Sequence, residues 1–178
     1  MKYEFKRNYY LRSLTYQQIN AMPNKLLATF HSRWKMALYM LQRLPTLLFW
    51  GVRVKKVTEQ EGVVTLPYGW RTQNPFRSIY FAAQCGAAEL STGLLALTHL
   101  HGKGKVSMLI TRVEADFVKK ADSLVTFTCT DGDAMRAAIE EAVQTGTAVA
   151  FTARSVGVQA TGEIVAQLHF TWSFKSKP

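Results

Sequence analysis

Between Arg77 and Lys103 a single side chain carries a formal charge, and it is Glu89. A surface helix of that length ordinarily displays a charged face, so the stretch SIYFAAQCGAAELSTGLLALTHLHG reads as a buried helix over about 78–98. At helical spacing Glu89 is surrounded by Ala82, Cys85, Gly86, Thr92, Gly93 and Ala96, all small. The carboxylate therefore lies on a stripe that backbone or ligand approaches closely. Burying an unpaired carboxylate is costly enough that it has to be hydrogen-bonded, ion-paired, protonated or open to a cleft. Two readings follow: an acid bonded to a neighbouring strand, or a site carboxylate able to take a proton or attack an electrophile. A membrane span is disfavoured, because Gln84, Ser91 and Thr92 accompany the acid, which alone costs about 2.5–3.5 kcal/mol at a bilayer centre.

The elements around this helix must supply its cover. From Gly51 the segment GVRVKKVTEQEGVVTLPYG reads as two strands, about 51–58 and 62–68, with a turn at Glu61-Gly62. After the helix, KVSMLITRVEADFVKKA and SLVTFTCTD read as strands and DAMRAAIEEAVQTG as an amphipathic helix. TAVAFTARSVGVQ and TGEIVAQLHFTWSF complete the order β-β-α-β-β-α-β-β. Such long strands about a long apolar helix predict an α+β fold in which a curved antiparallel sheet wraps that helix. Residues 1–50 carry helical spacing at Leu26, Leu27, Phe30, Trp34, Leu38 and Leu41 until Pro45 interrupts it. They are expected to form one or two helices whose apolar face packs on a domain spanning 51–178, a reading taken over the alternative that this basic amphipathic segment lies on a membrane surface. No internal repeat or low-complexity tract interrupts the chain.

Composition sets the outer limits. A chain of 178 residues that is 48% hydrophobic and 19% charged suits one globular domain and excludes a disordered or fibrous chain. The net charge of +10 favours polyanionic or phosphate-bearing partners without choosing among them. Cys85 and Cys129 are the two cysteines, far apart and in no metal-ligand spacing; neither a disulfide framework nor a metal is expected. MKYEFKRNYYLRSL has no uninterrupted apolar run and no small-residue cleavage pattern, so the expected location is cytoplasmic.

Asn74-Pro75-Phe76-Arg77-Ser78-Ile79-Tyr80-Phe81-Ala82, followed by Ala87-Ala88-Glu89-Leu90-Ser91-Thr92-Gly93, resembles the hotdog-fold acyl-CoA thioesterases of the phenylacetyl-CoA and hydroxybenzoyl-CoA type. More narrowly it resembles a hotdog branch known only as a domain of unknown function. In those enzymes an Asn precedes the central helix by a short loop, His-Gly-Gly opens the helix, and an Asp or Glu follows on it. The resemblance covers about 51–174, with the 1–50 helical extension outside it. It departs at Tyr80-Phe81-Ala82, which stands where His-Gly-Gly would be.

The resemblance implies hydrolysis of a CoA thioester with no cofactor, in a homodimer or dimer of dimers. Glu89 would then act as base or nucleophile, and Asn74 would orient water or carbonyl unless it is a turn residue before Pro75. Free N–H groups around Tyr80, Phe81 and Ala82 suit the thioester oxygen, since helix starts favour negative charge. Thr111, or Ser107, on the next strand would help hold the water. Arg71, Arg77, Lys103 and Lys105 flank the helix ends and are candidates for the CoA phosphates. A hotdog dehydratase would need a His beside the acid, whereas His99 and His101 come at the far end of the helix. A non-catalytic acyl binder is the remaining hotdog alternative. No nucleic-acid-binding motif accompanies the basic count.

Overall fold

The structure is a computed structural model and describes residues 30 and 32–177. Among the described residues, the helices α1 (Arg33–Arg43) and α2 (Pro45–Phe49) precede the sheet. They are separated at Leu44 because a residue before proline is pushed out of helical geometry, while Pro45 itself is suited to a first helical position. The hairpin β1 (Arg53–Val57) and β2 (Gly62–Leu66) leads to α3 (Phe81–Leu100). There follow β3 (Val106–Phe117), β4 (Val125–Cys129), α4 (Gly132–Thr145), β5 (Ala148–Gln159) and β6 (Ile164–Ser176). The six strands form one antiparallel sheet in the order β1-β2-β4-β5-β6-β3. The order β-β-α-β-β-α-β-β expected after residue 50 is the observed one.

Register shifts at Val54/Lys56, Ile110/Arg112 and Gly157/Val158 mark bulges of the kind that bend strands. The bent sheet lets α3 touch β1, β2, β4, β5 and β6, with α4 against its side. Phe127, Leu94, Leu95, Leu168, Phe170 and Phe174 fill the space between helix and sheet. Leu168, Phe170, Trp172 and Phe174 are buried at alternate positions of β6, as a strand with one covered face requires. A buried hydrogen bond of 2.8 Å between Ser91 and Ser155 ties α3 to β5.

The turn between β1 and β2 is Thr58–Glu61, closed by the Thr58 hydroxyl accepting from the amides of Gln60 and Glu61. Gly62, expected both at the turn and at the start of the second strand, is the first residue of β2. A Cβ there would stand 2.2 Å from the Ser91 carbonyl oxygen of α3, so the glycine sets how closely hairpin and helix approach. Gly62→Ala should destabilise the fold by about 2–3 kcal/mol, the cost of overpacking against backbone; a denaturation midpoint equal to wild type would refute that contact.

The packed face of α1 also differs from the expected one. Phe30 is buried as expected, but Trp34, Leu38 and Leu41 are 88%, 57% and 58% exposed. Met36 and Met40 hold the packed face, in the same cluster as Leu47 and Val52. Unbranched methionines fill irregular gaps, and they leave the rest of the expected stripe facing outward. Leu26 and Leu27 lie outside the described residues.

Candidate functional site

Glu89 sits at the middle of α3, which presents no other charged side chain before His99. Its side chain lies along the helix over Gly93: a Cβ on Gly93 would stand 3.1 Å from Glu89 Oε1 and 3.6 Å from the Trp172 ring. The small-residue stripe is thus shared out. Gly86 receives Leu47 and Trp50 of the α1–α2 extension, and Gly93 leaves room for the carboxylate and for Trp172. The indole Nε1 of Trp172 donates to Thr92 Oγ1 at 3.1 Å, and the Thr92 hydroxyl donates to the Glu89 carbonyl at 2.9 Å.

No hydrogen bond or ion pair engages the Glu89 carboxylate among the described residues, so bonding to a neighbouring strand is not how it is accommodated. Burial without compensation pushes its pKa up to about 7. On α1, burial raises the Tyr39 phenol, Arg43 opposes the rise, and the Glu89 charge adds to it in smaller measure.

The raised pKa makes Glu89 a stability liability that grows with pH. Below about pH 4.5 the acid is protonated in folded and unfolded chains alike, and no difference arises. Between that pH and about 7 the unfolded chain loses the proton and the folded one retains it, so folding is penalised increasingly. Above pH 7 the full penalty is present, about 3 kcal/mol for a displacement of this size. Glu89→Gln should therefore melt several degrees higher than wild type at pH 8 and coincide with it near pH 4. A mutant less stable at pH 8 would count against the raised pKa.

Asn74 lies in a tight loop that folds back just before α3. Its Oδ1 accepts from the Phe76 amide (3.0 Å), the Ser78 amide (3.2 Å) and the Ser78 hydroxyl (3.1 Å), the pattern of an Asx turn. Its Nδ2 has no partner among the described residues. Arg77 in the same loop has φ +57°, a left-handed conformation costing a non-glycine residue about 1 kcal/mol. At the helix start the Tyr80 amide is spent on the Thr72 carbonyl at 2.7 Å. The Phe81 and Ala82 amides have no acceptor among the described residues, which is the ordinary condition of a first helical turn.

Thr111 is exposed on the sheet-edge strand β3 and donates to the Thr171 carbonyl, and Ser107 donates likewise to the Lys175 carbonyl. Both hydroxyls can still accept. Of the cationic candidates, Lys103 is paired with Glu140 at 3.0 Å. Arg71 lies 6.0 Å from the centre of the Trp70 ring, and Arg77 and Lys105 are exposed. Burial raises the Cys85 thiol and pushes Cys129 up to about 12, so neither presents a thiolate at neutral pH. Among the described residues no group of three or more His, Cys, Asp or Glu could hold a metal ion.

The structure brings Glu89 together with Trp172, Thr92 and Tyr39. It does not bring the helix start to the carboxylate, since Phe81 and Glu89 are eight residues apart, about 12 Å along the helix. Trp172 and Tyr39 escaped the sequence reading. The one available signal for Trp172 was an indole N–H at an inward strand position, which requires a partner when buried.

Comparison with solved structures shows the fold to be that of the hotdog thioesterases. A Pseudomonas aeruginosa protein of unknown function, described as a probable thioesterase, superposes with a TM-score of 0.71 at 18% identity, covering 82% of this chain and 97% of its own. A thioesterase of Haemophilus influenzae gives 0.53 at 14% identity, covering 77% and 87%. A thioesterase of Staphylococcus aureus, as a glutamine-to-alanine mutant, gives 0.54 at 14% identity, covering 73% and 98%. No curated protein matches. The family model described as "Domain of unknown function (DUF4442)" matches residues 32–174, taking in α1, α2 and the sheet up to the last two residues of β6, and the chain accordingly belongs to the DUF4442 family, on a hotdog fold.

Proposed function

We propose that this protein hydrolyses acyl-CoA thioesters in a homodimer, with Glu89 of one protomer acting on a thioester held at the start of α3 of the other. The observation that carries the reading is the unpaired Glu89 carboxylate with a pKa near 7, a value at which a carboxylate is an effective proton acceptor in neutral solution. Glu89 takes a proton from water as the water oxygen bonds to the carbonyl carbon, or attacks that carbon itself to form a mixed anhydride that water then hydrolyses, freeing the acid and the Glu89 carboxylate. The oxygen gains negative charge and is received by the free Phe81 and Ala82 amides, beside Tyr80. Collapse expels CoA thiolate, which takes the proton Glu89 accepted from water or, on the nucleophilic route, one from solvent.

The free carboxamide N–H₂ of Asn74 orients the water or carbonyl, and Thr111 supplies a further hydroxyl. Arg71, Arg77 and Lys105 are available to the phosphates of CoA. Support for a second copy comes from the outer edge of β3, where Leu109, Val113 and Phe117 are exposed, and from Tyr80 and Phe81 beside them, with Phe81 and Phe117 in ring contact. Exposed apolar residues in such a run suit an interface between copies. A glutamine and a glutamate fifteen positions apart are the residues changed to alanine in two structures of the Staphylococcus aureus protein. Asn74 and Glu89 have the same separation.

The alternative is a hotdog protein that binds acyl-CoA without cleaving it. It is favoured by the aromatic Tyr80-Phe81 at the helix start and by the loss of the Tyr80 amide to Thr72. Free-thiol release from a panel of acyl-CoAs of graded chain length separates the two: release with at least one chain supports hydrolysis, and saturable binding without release supports the alternative.

A further inference from the structure

The formal charge of +10 is carried entirely by the first third of the chain. Residues 1–58 contain eleven Lys and Arg and one acid, Glu4, whereas from Glu59 onward eleven bases are balanced by eleven acids. Within the described part of this segment the cations Arg33, Lys35 and Arg43 lie on α1, and Arg53, Lys55 and Lys56 on β1, the last paired with Glu61. α1 also carries exposed apolar side chains, flanked around the helix by Arg33 and Lys35, with Arg43 nearly opposite them. Trp34, Leu38 and Leu41 follow one another at i, i+4 and i+7, a continuous stripe on α1 opposed to the packed Met36 and Met40.

Trp34 and Arg71 line one cavity of about 800 Å³ between α1 and β1, with an apolar floor that includes Met36, Met40 and Val52. Arg71 lies over Trp70, and Trp70, 74% exposed, makes an edge-on contact with exposed Phe49 at 5.8 Å. Exposed tryptophan and leucine set among cations, with no acid between Phe5 and Thr58, is the composition of a surface that meets an anionic lipid interface.

We infer that the α1 face formed by Trp34, Leu38 and Leu41, with Phe49 and Trp70 beside it, docks reversibly on an anionic phospholipid bilayer, its cations meeting the headgroups and its apolar residues entering the interface. Charge selects this occupant over two others. Residues 1–29 carry Lys2, Lys6, Arg7, Arg12 and Lys25 against Glu4, the same sign as the face they would have to cover. A second copy packed there about a two-fold axis would set cations against cations. Aliphatic Leu38 and Leu41 at the centre suit acyl chains better than nucleic-acid bases, which call for aromatic stacking. No described helix is long and apolar enough to cross a membrane, so the contact is peripheral.

Flotation of the full chain with vesicles tests this. Vesicles of phosphatidylcholine containing about 30% phosphatidylglycerol should retain at least about tenfold more protein than phosphatidylcholine alone, and added salt should release it. The triple variant Trp34→Ser, Leu38→Ser, Leu41→Ser should lose at least about fivefold of that binding with its melting temperature unchanged, since all three side chains are exposed. Should the triple variant fail to fold, Lys35→Glu in the wild-type background must weaken retention on the anionic vesicles. Equal retention on neutral and anionic vesicles would overturn the proposal, as would full binding by the folded triple variant. So would an oligomer that the triple substitution dissolves, or capture by duplex DNA or RNA in preference to vesicles at equal phosphate.

Discussion

Glu89→Ala is expected to lower acyl-CoA turnover at least about 100-fold, the scale on which loss of a positioned general base is felt. In the proposed mechanism the carboxylate acts on the reacting atoms and the acyl chain and CoA phosphates are bound elsewhere, so the loss should fall on kcat. Glu89→Gln should be nearly as inactive, since the amide fills the same space without accepting the proton. Neither variant should be poorly folded. The carboxylate has no partner to leave behind among the described residues, and its removal relieves a desolvation cost. Inactivity of a protein at least as stable as wild type at pH 8 therefore separates a chemical role from a structural one. A pH profile adds a further check: kcat/KM should rise through a pKa near 7, as Glu89 becomes deprotonated. Full turnover by a folded Glu89→Ala protein would remove Glu89 from the chemistry.

Mixing two inactive variants should restore activity. The free amides at the start of α3 and the Glu89 carboxylate are about 12 Å apart on one rigid helix, too far to grip the same carbonyl and water. A second copy related by a two-fold axis, with its α3 antiparallel, would supply the missing half twice over. In a mixture of Asn74→Ala and Glu89→Ala chains, each mixed dimer then has one site with both residues intact and one with neither. Free exchange makes half the dimers mixed, so turnover should approach roughly a quarter of wild type, against about a hundredth for either variant alone. Differently tagged chains show whether mixed dimers are present. Mixed dimers that stay as inactive as their parents would place the whole site within one chain and end the shared-site model.

Much of the fold was legible because its signals are local. The order of strands and helices follows from period-2 and period-3.6 patterns, each written within a dozen residues. The burial of α3 follows from the lack of charge along it, and the covering sheet from the need to enclose a helix that is apolar nearly all round. Glu89 stood out on the same ground, since one acid among small residues on such a helix has to be explained by something it does or touches.

The sequence by itself determined the element order, the one acid on the central helix and the small residues that leave room around it, because these depend on spacing along a single segment. What only the tertiary structure decided were the contacts between segments distant in the chain. Trp172 reaches Thr92 across 80 positions, and Tyr39 comes from α1 into the field of Glu89. Gly62, at the start of β2, proved to be a point of close approach to Ser91 of α3. On α1, periodicity marked apolar positions without saying which would be covered: Met36 and Met40 met the domain, while Trp34, Leu38 and Leu41 did not. Helical spacing establishes that residues share a face, but a face becomes core only where another element packs against it, and where α1 lies is set by the rest of the fold.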